Sequence, residues 1–323
     1  LSSSSAASDV YKRQILTSLK RQELGIRYEP WRITHALLAV GVAALALIHI
    51  EGVGYYVQGP LKRWFWIGLV TAWVLSLVYV RIIKPLWMSR RPYTVEEIIR
   101  ERGKTWTVVL RPEGHPGLSF KPGQFAWLTI GKSPFAIREH PFSFSSSSMG
   151  SDTIGISIKE LGDFTSGISD VKPGTRAYLD GPYGAFTIDR HTAPGYVFIV
   201  GGVGITPVIS ILRTLADRHE KRPLLLFYSN KTWEGATFRE ELEGLTKRLN
   251  LRVVYVLSKP PKGWKGERGR IHAGMMARYL PENRVECEYF ICGPEPMQKA
   301  VKEALQELGL PLDKVQSESF NFV

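Results

Sequence analysis

Two stretches near the amino end of the chain carry no charge. Ile33 to Ile50 holds 14 apolar residues in 18, between Arg32 and Glu51, and Trp64 to Val80 holds 14 in 17, between Arg63 and Arg81. Neither run has a polar face, and uncharged runs of about 18 residues predict membrane-spanning helices. The expectation is a helical hairpin in a region 15–91, with helices over 33–50 and 64–83. After residue 91 the pattern changes to short β-rich runs separated by turn signals: Thr105–Leu110, Gln124–Ile130, Thr153–Ile158 and Arg176–Leu179, with breaks at Pro122-Gly123 and Pro173-Gly174. Such spacing predicts a small antiparallel barrel over 92–189. From Gly195 strand and helix alternate: strand Tyr196–Val200 and a helix through His219, strand Leu224–Tyr228 and helix Phe238–Leu249, strands Arg252–Leu257 and Tyr289–Ile291, then helix Pro296–Leu308. Alternation of this kind predicts a parallel sheet, here an α/β domain over 190–323.

Charge adds an orientation. The chain has 42 Lys+Arg and 30 Asp+Glu, a net charge of +12, and residues 1–91 supply +8 of it through 12 basic and 4 acidic residues. The basic residues flank the two runs, and loop 51–63 holds only Lys62 and Arg63, so both ends of the hairpin are expected in the cytoplasm and the loop outside. A nucleic-acid partner is not needed to explain a pI near 9.6. With only Cys287 and Cys292, a disulfide scaffold and a Cys-rich metal module are excluded. Residues 1–14, a Ser/Ala-rich leader of non-native appearance, lack the apolar core of a signal peptide. The chain therefore reads as the C-terminal part of a longer protein.

Candidate chemistry gathers where elements join. Gly201-Gly202-Val203-Gly204-Ile205-Thr206-Pro207 follows a strand and opens a helix, where glycines admit a pyrophosphate to the helix amino end. Cys292-Gly293-Pro294 follows another strand, at the same carboxyl edge of the sheet. In the barrel, Arg138-Glu139-His140-Pro141-Phe142-Ser143 combines a cation, an imidazole, an aromatic and a hydroxyl, groups that suit a flavin. The run from Lys159 through Thr165, Ser166 and Gly167 can offer N–H donors to a second phosphate, and Gly181-Pro182-Tyr183-Gly184 reads as a turn with an aromatic for the cofactor. Ser229-Asn230-Lys231 ends the second strand of the α/β domain without an acidic residue. This favours NADPH over NADH, with Lys231 and Arg239 as candidate cations.

The order HPFS, GPYG, GGVGITP, CGP and a terminal ESF resembles the ferredoxin–NADP reductase superfamily. The HPFS form is similar to that of NADPH oxidases and ferric reductases of the ferric-reductase-like transmembrane family. The resemblance implies that His140, Pro141, Phe142, Ser143, Thr165, Ser166 and Tyr183 contact FAD. It implies that Gly202, Gly204, Thr206, Ser229, Asn230, Cys292, Gly293 and Pro294 hold the nicotinamide nucleotide. It also implies catalytic roles for Ser143, Cys292, Glu318 and Phe320, with Phe320 covering the flavin ring and Phe322 as its rival.

His35 and His49 end the first apolar run. Fourteen residues apart, they stand roughly 21 Å apart along a helix and share one face. Imidazole is an axial haem ligand, and in that family a second helix supplies the opposite pair, which this chain does not contain. The expected activity is electron transfer from NADPH through FAD and haem b to an outer acceptor, dioxygen or a ferric chelate. Two other readings stay open: a membrane-anchored flavin reductase without haem that serves a protein partner, and a membrane scaffold with an inactive nucleotide fold.

Overall fold

The computed structural model describes residues 28–55, 58–136, 139–150 and 152–319. They fall into two compact units: one runs to Arg90 and also takes in the segment from Ser133, and the other comprises Arg91–Lys132 and the chain from Glu139 onward. The leader, Arg138 and the terminal aromatics Phe320 and Phe322 lie outside the described residues.

The first unit contains helix α1 (Tyr28–Val53) and helix α2 (Pro60–Ser89). Among the described residues, α2 is long and apolar enough to cross a bilayer, with none of its most apolar window buried. The apolar stretch of α1 is Thr34–Ile50. Near its carboxyl end α2 widens into a π turn, Tyr79–Ile83, in which the Lys84 N–H bonds to the Tyr79 carbonyl. Pro85 explains the widening: it has no N–H to return, and its ring crowds the carbonyl four residues back.

The second unit opens with an antiparallel sheet of six strands. These are β1 (Tyr93–Glu101), β2 (Thr105–Pro112), β3 (Phe125–Ile130), β4 (His140–Ser143), β5 (Ile154–Lys159) and β6 (Arg176–Tyr183), in the order β4-β3-β6-β1-β2-β5. One bridge, Phe144 to Ile156, joins β4 to β5 and closes the sheet into a barrel. Alternate residues turn inward, so Val95, Val108, Leu110, Ala126, Leu128 and Ile156 meet in its core. A one-turn helix, α3 (Asp163–Ser166), follows β5.

The second half of this unit is a parallel sheet of six strands. Strands β7 (Tyr196–Gly201), β8 (Leu224–Asn230), β9 (Leu251–Leu257), β10 (Glu267–Arg268), β11 (Glu288–Cys292) and β12 (Val315–Glu318) lie in the order β10-β9-β8-β7-β11-β12. Helices α4 (Ile205–Asp217) and α5 (Arg239–Arg248) cover one face, and α6 (Ala273–Ala277) and α7 (Glu295–Glu307) the other. Strands buried on both faces read as unbroken apolar runs, and β7 is buried along its whole length. The expected barrel and parallel sheet are both present.

Barrel and sheet are tied together. Thr237 Oγ1 donates to the Arg102 carbonyl at 3.1 Å, and Arg102 pairs with Glu240 at 2.7 Å. The connecting segment is held by Arg218 on Asp189, and by Tyr196 Oη on the His191 carbonyl at 2.9 Å. A fragment beginning at Arg91 should therefore fold without the helices and unfold in one urea transition. Non-coincident transitions by circular dichroism and tryptophan fluorescence would show that the two halves are independent.

Candidate functional site

The parallel sheet changes direction between β7 and β11: the chain moves outward from β7 to β8, then returns to place β11 on β7's other side. At such a switch point the connections diverge and leave a crevice at the carboxyl ends of the strands. Both glycine-containing joins lie there. A turn, Gly202–Gly204, links β7 to α4. Gly202 has φ +54, in the left-handed region. Gly204 passes so close to β11 that a Cβ on it would stand 2.2 Å from the Cys292 carbonyl oxygen. Thr206 is buried and donates to the Val203 carbonyl at 2.9 Å, which tightens the turn.

Strand β12 completes the crevice. Its Glu318 pairs in register with Cys292. Gln298, on α7, donates to both the Gly293 and the Glu318 carbonyls at 2.8 Å. It thereby binds the Cys292-Gly293-Pro294 join to the end of β12. Nothing in the sequence marked Gln298 beyond a polar residue on the buried side of a helix.

The barrel meets this edge through two strand ends. Phe125 pairs with Ser143 across β3–β4 and with Tyr183 across β3–β6, so these three residues form a row. Gly181-Pro182-Tyr183, expected as a turn, is the end of β6, and Gly184 follows it. A Cβ on Gly184 would lie 3.1 Å from the Phe125 ring and 3.8 Å from Glu318 Oε1. The Tyr183 hydroxyl donates to Asp180 at 2.8 Å, which fixes its ring. The other meeting point is Lys159, at the end of β5. Its Nζ lies 3.9 Å from where a Cβ on Gly202 would stand. Ser143, Phe125, Tyr183, Glu318, Cys292, Gly204, Gly202 and Lys159 thus form one continuous line of neighbours from the barrel to the carboxyl edge of the sheet.

The remaining expected residues are placed as follows, apart from Arg138. His140 stacks on Phe164 with ring centres 4.0 Å apart, and Phe142 lies 6.1 Å from the same ring. Thr165 Oγ1 accepts from the Leu161 and Gly162 N–H groups, at 2.8 and 2.9 Å. Those two donors, expected to serve a phosphate, are therefore engaged within the turn, and Ser166 is exposed beside them. Pro141 lies in β4 between His140 and Phe142. Ser229 and Asn230 end β8 and Lys231 is exposed just beyond, while Pro294 is the exposed cap of α7. Arg239 is engaged elsewhere: it bonds Glu240 and the Trp233 carbonyl and lies 4.5 Å over the Trp233 ring. Lys231 is left as the candidate cation at that strand end.

Burial sets the electrostatics. It lowers the Lys159 ammonium, raises the Cys292 thiol well above its usual range, and pushes the Glu318 carboxyl up to about 7. In each case the neutral form is favoured because water is excluded. Cys292 is therefore a neutral thiol near pH 7. Ser143 Oγ and Glu318 Oε2 are buried with no hydrogen-bond partner among the described residues. A buried hydroxyl in that state fits a ligand that offers a hydrogen-bonding ring atom, as a flavin does.

Comparison with known proteins follows the same division. An FAD-binding domain model matches residues 101–187, and an oxidoreductase NAD-binding domain model matches residues 198–303. The flavohemoprotein of Bacillus subtilis (strain 168) is 27% identical over 240 residues, 72% of this chain and 60% of that protein. The propane 2-monooxygenase reductase component of Mycolicibacterium smegmatis is 30% identical over 219 residues, 65% of this chain and 62% of that protein. The chain thus spans about three fifths of the length of these relatives. The FAD/NAD-binding domain of the nitric oxide dioxygenase of Vibrio cholerae O1 superposes with a TM-score of 0.62 at 23% identity, over 71% of this chain and 98% of that one.

Two outcomes test the geometry. Gly204→Ala forces β7 and β11 apart and should cost about 1–3 kcal/mol of stability in urea unfolding, the usual range for overpacking; an unchanged midpoint would mean that the join gives way freely. Glu318, raised from 4.5 to about 7, keeps a proton in the folded protein that the unfolded chain has released. Stability should therefore fall as pH rises across that window, and Glu318→Gln should flatten the fall. Urea midpoints across the window, in both proteins, are the measurement.

Proposed function

We propose that this chain, an oxidoreductase whose FAD-binding and NAD-binding domains have the ferredoxin–NADP reductase-type fold, carries electrons from a reduced nicotinamide nucleotide to FAD and on to a one-electron acceptor. The observation that carries the reading is the line of neighbours described above. It joins the flavin-side Ser143 and Tyr183 to the nucleotide-side Gly202, Gly204 and Cys292.

Bound FAD supplies the chemistry that accepts a hydride and releases single electrons. The protein's residues do the positioning. Ser143 offers its hydroxyl to the flavin ring, and Tyr183, fixed by Asp180, presents an aromatic face. His140, Pro141, Phe142, Thr165 and Ser166 line the remainder of the flavin side, with Arg138 a cation for its phosphates. On the nucleotide side, the Gly202–Gly204 turn and the amino end of α4 receive a pyrophosphate. Lys159, whose ammonium is disfavoured by burial, gains an anionic neighbour when that pyrophosphate arrives. Thr206, Ser229, Asn230, Gly293 and Pro294 border the same nucleotide. Cys292, as a neutral thiol, and Glu318, whose carboxyl burial pushes up to about 7, flank the reacting ring, and Phe320 is the residue we assign to cover the flavin.

NADPH is the donor we favour, because β8 ends in Ser229-Asn230-Lys231 without a carboxylate for a ribose 2′-hydroxyl. The onward route is through the membrane. Helix α2 has the length and apolar character to span, and the basic flanks favour a cytoplasmic dehydrogenase in a multi-pass membrane protein. His35 and His49 on α1 would each help to hold a haem b, which would supply one-electron transfer across the bilayer. Dioxygen or a ferric chelate is the outer acceptor in this reading. One observation favours a second reading: a relative at 30% identity is the reductase component of an oxygenase, and on that pattern the flavin serves a protein partner without haem.

A visible spectrum of the purified full chain tests both. Flavin bands that bleach with NADPH support the core proposal, and their absence rejects it. A Soret band that is present in the unmodified chain and weakened, not abolished, in His49→Ala supports the haem route; flavin bands alone support the partner route. Lys231→Ala should reduce the preference for NADPH over NADH by about tenfold, the scale of one charged hydrogen bond, and an equal effect on both nucleotides would show that Lys231 does not read the phosphate.

A further inference from the structure

Arg213 lies in the middle of α4, on the side that faces the barrel. Its guanidinium makes three short bonds. Nε and Nη2 donate to the two carboxylate oxygens of Glu241, at 2.6 and 2.7 Å, and Nη1 donates to the Ser145 carbonyl at 2.6 Å. Its plane also lies 5.3 Å from the Phe238 ring. Only a guanidinium can satisfy a carboxylate fork and a third acceptor at once, because its five N–H groups are fixed in one plane. Both partners are informative. Glu241 is on α5, so the helix pair is locked. Ser145 is fully buried and stands two residues after Ser143 on the same extended segment.

Two further bonds tie this segment to α4. Ser210 Oγ donates to the Ser146 carbonyl at 2.7 Å, and the Ser148 N–H donates to Thr214 Oγ1 at 2.9 Å. Residues 145–148 therefore lie along α4, and α4 starts immediately after Gly204. One helix thus fixes both the turn on the nucleotide side and the segment that carries the flavin-side hydroxyl. Arg213 is the only charged group on α4 that bonds this segment among the described residues.

We propose that Arg213 is a positioning residue for hydride transfer. It touches neither cofactor, yet it sets the separation between Ser143 and the Gly202–Gly204 turn by holding the Ser145 carbonyl in the frame of α4. The inference rests on the reading of Ser143 as a flavin contact. A group of this kind acts on the rate within the bound complex and leaves binding of either cofactor nearly unchanged.

The test is stopped-flow reduction of the flavin in the full chain, with the limiting rate and the nucleotide Kd measured separately. Arg213→Met should keep its FAD and its nucleotide Kd while the limiting rate falls by about tenfold or more, the effect of a sub-ångström to ångström displacement of reacting groups. Arg213→Lys should recover part of the rate, since an ammonium can hold the carbonyl or the carboxylate but not both in fork geometry. Leu245→Ala, a core truncation in α5, is the control: it should lower the melting temperature without changing the limiting rate. A limiting rate in Arg213→Met equal to that of the unmodified chain overturns the proposal, and so does a raised Kd with an unchanged rate. If Arg213→Met does not fold with FAD, Arg213→Lys decides by the same two criteria. Ser143→Ala separates the two readings: if it is as fast as the unmodified chain, the flavin contact is misassigned, whereas a slow Ser143→Ala beside a fast Arg213→Met removes only the positioning role. If the unmodified chain is not reduced by NADPH or NADH, the proposed function fails first.

Discussion

The approach of Gly204 to the Cys292 carbonyl is the constraint on which the site depends. Parallel strands β7 and β11 are neighbours, and their following segments must separate within a few residues. One of them becomes a helix at once, and the space for that helix start is the space a methyl group would take. With glycine there, α4 begins directly over the end of β11. Thr206 is then buried under the turn, and Gly202 faces Lys159 from the barrel. A larger residue would displace α4, and with it the face that meets residues 145–148 and the line of neighbours shared by the two halves.

The charges along that line obey the same rule of burial. An ammonium, a carboxyl and a thiol are all shifted toward their neutral forms, although the shifts have opposite signs on the pKa scale. An anion placed beside Lys159 would favour its charged form and so oppose the effect of burial.

The parts legible in the sequence were those in which local and global preferences agree. Tyr196–Val200 is an unbroken apolar run closed by glycines, and both its strand and the helix after it stand where the pattern put them, with the helix ending at Asp217 rather than His219. Strand β1 was not legible. Tyr93–Glu101 carries three glutamates and an arginine, and it is a strand because β2 pairs with it through a bulge between Val95 and Glu97. Gly181-Pro182-Tyr183 carried turn chemistry, yet pairing with β3 draws it into β6. Strand β12 is four residues long and exists only against β11. In the site, the glycine joins and the His-Pro-Phe-Ser run were visible because their residue types are unusual at strand ends. Gln298, Phe125 and Arg213 were not, because their roles arise from contacts distant in sequence.

The barrel is closed by a short joint. Strands β1 and β2 are zipped along nearly their whole length, whereas β4 and β5 meet through the bridge from Phe144 to Ile156 and the bonds of Ser145 and Ser146 with Gly155 that follow it. The residues assigned to hold FAD and the nucleotide pyrophosphate, Ser143 and His140 on β4 and Lys159 on β5, stand on the two sides of that seam. Ligands held by residues on the two strands would favour the closed seam by mass action, so that their retention and the cohesion of the barrel wall would be linked.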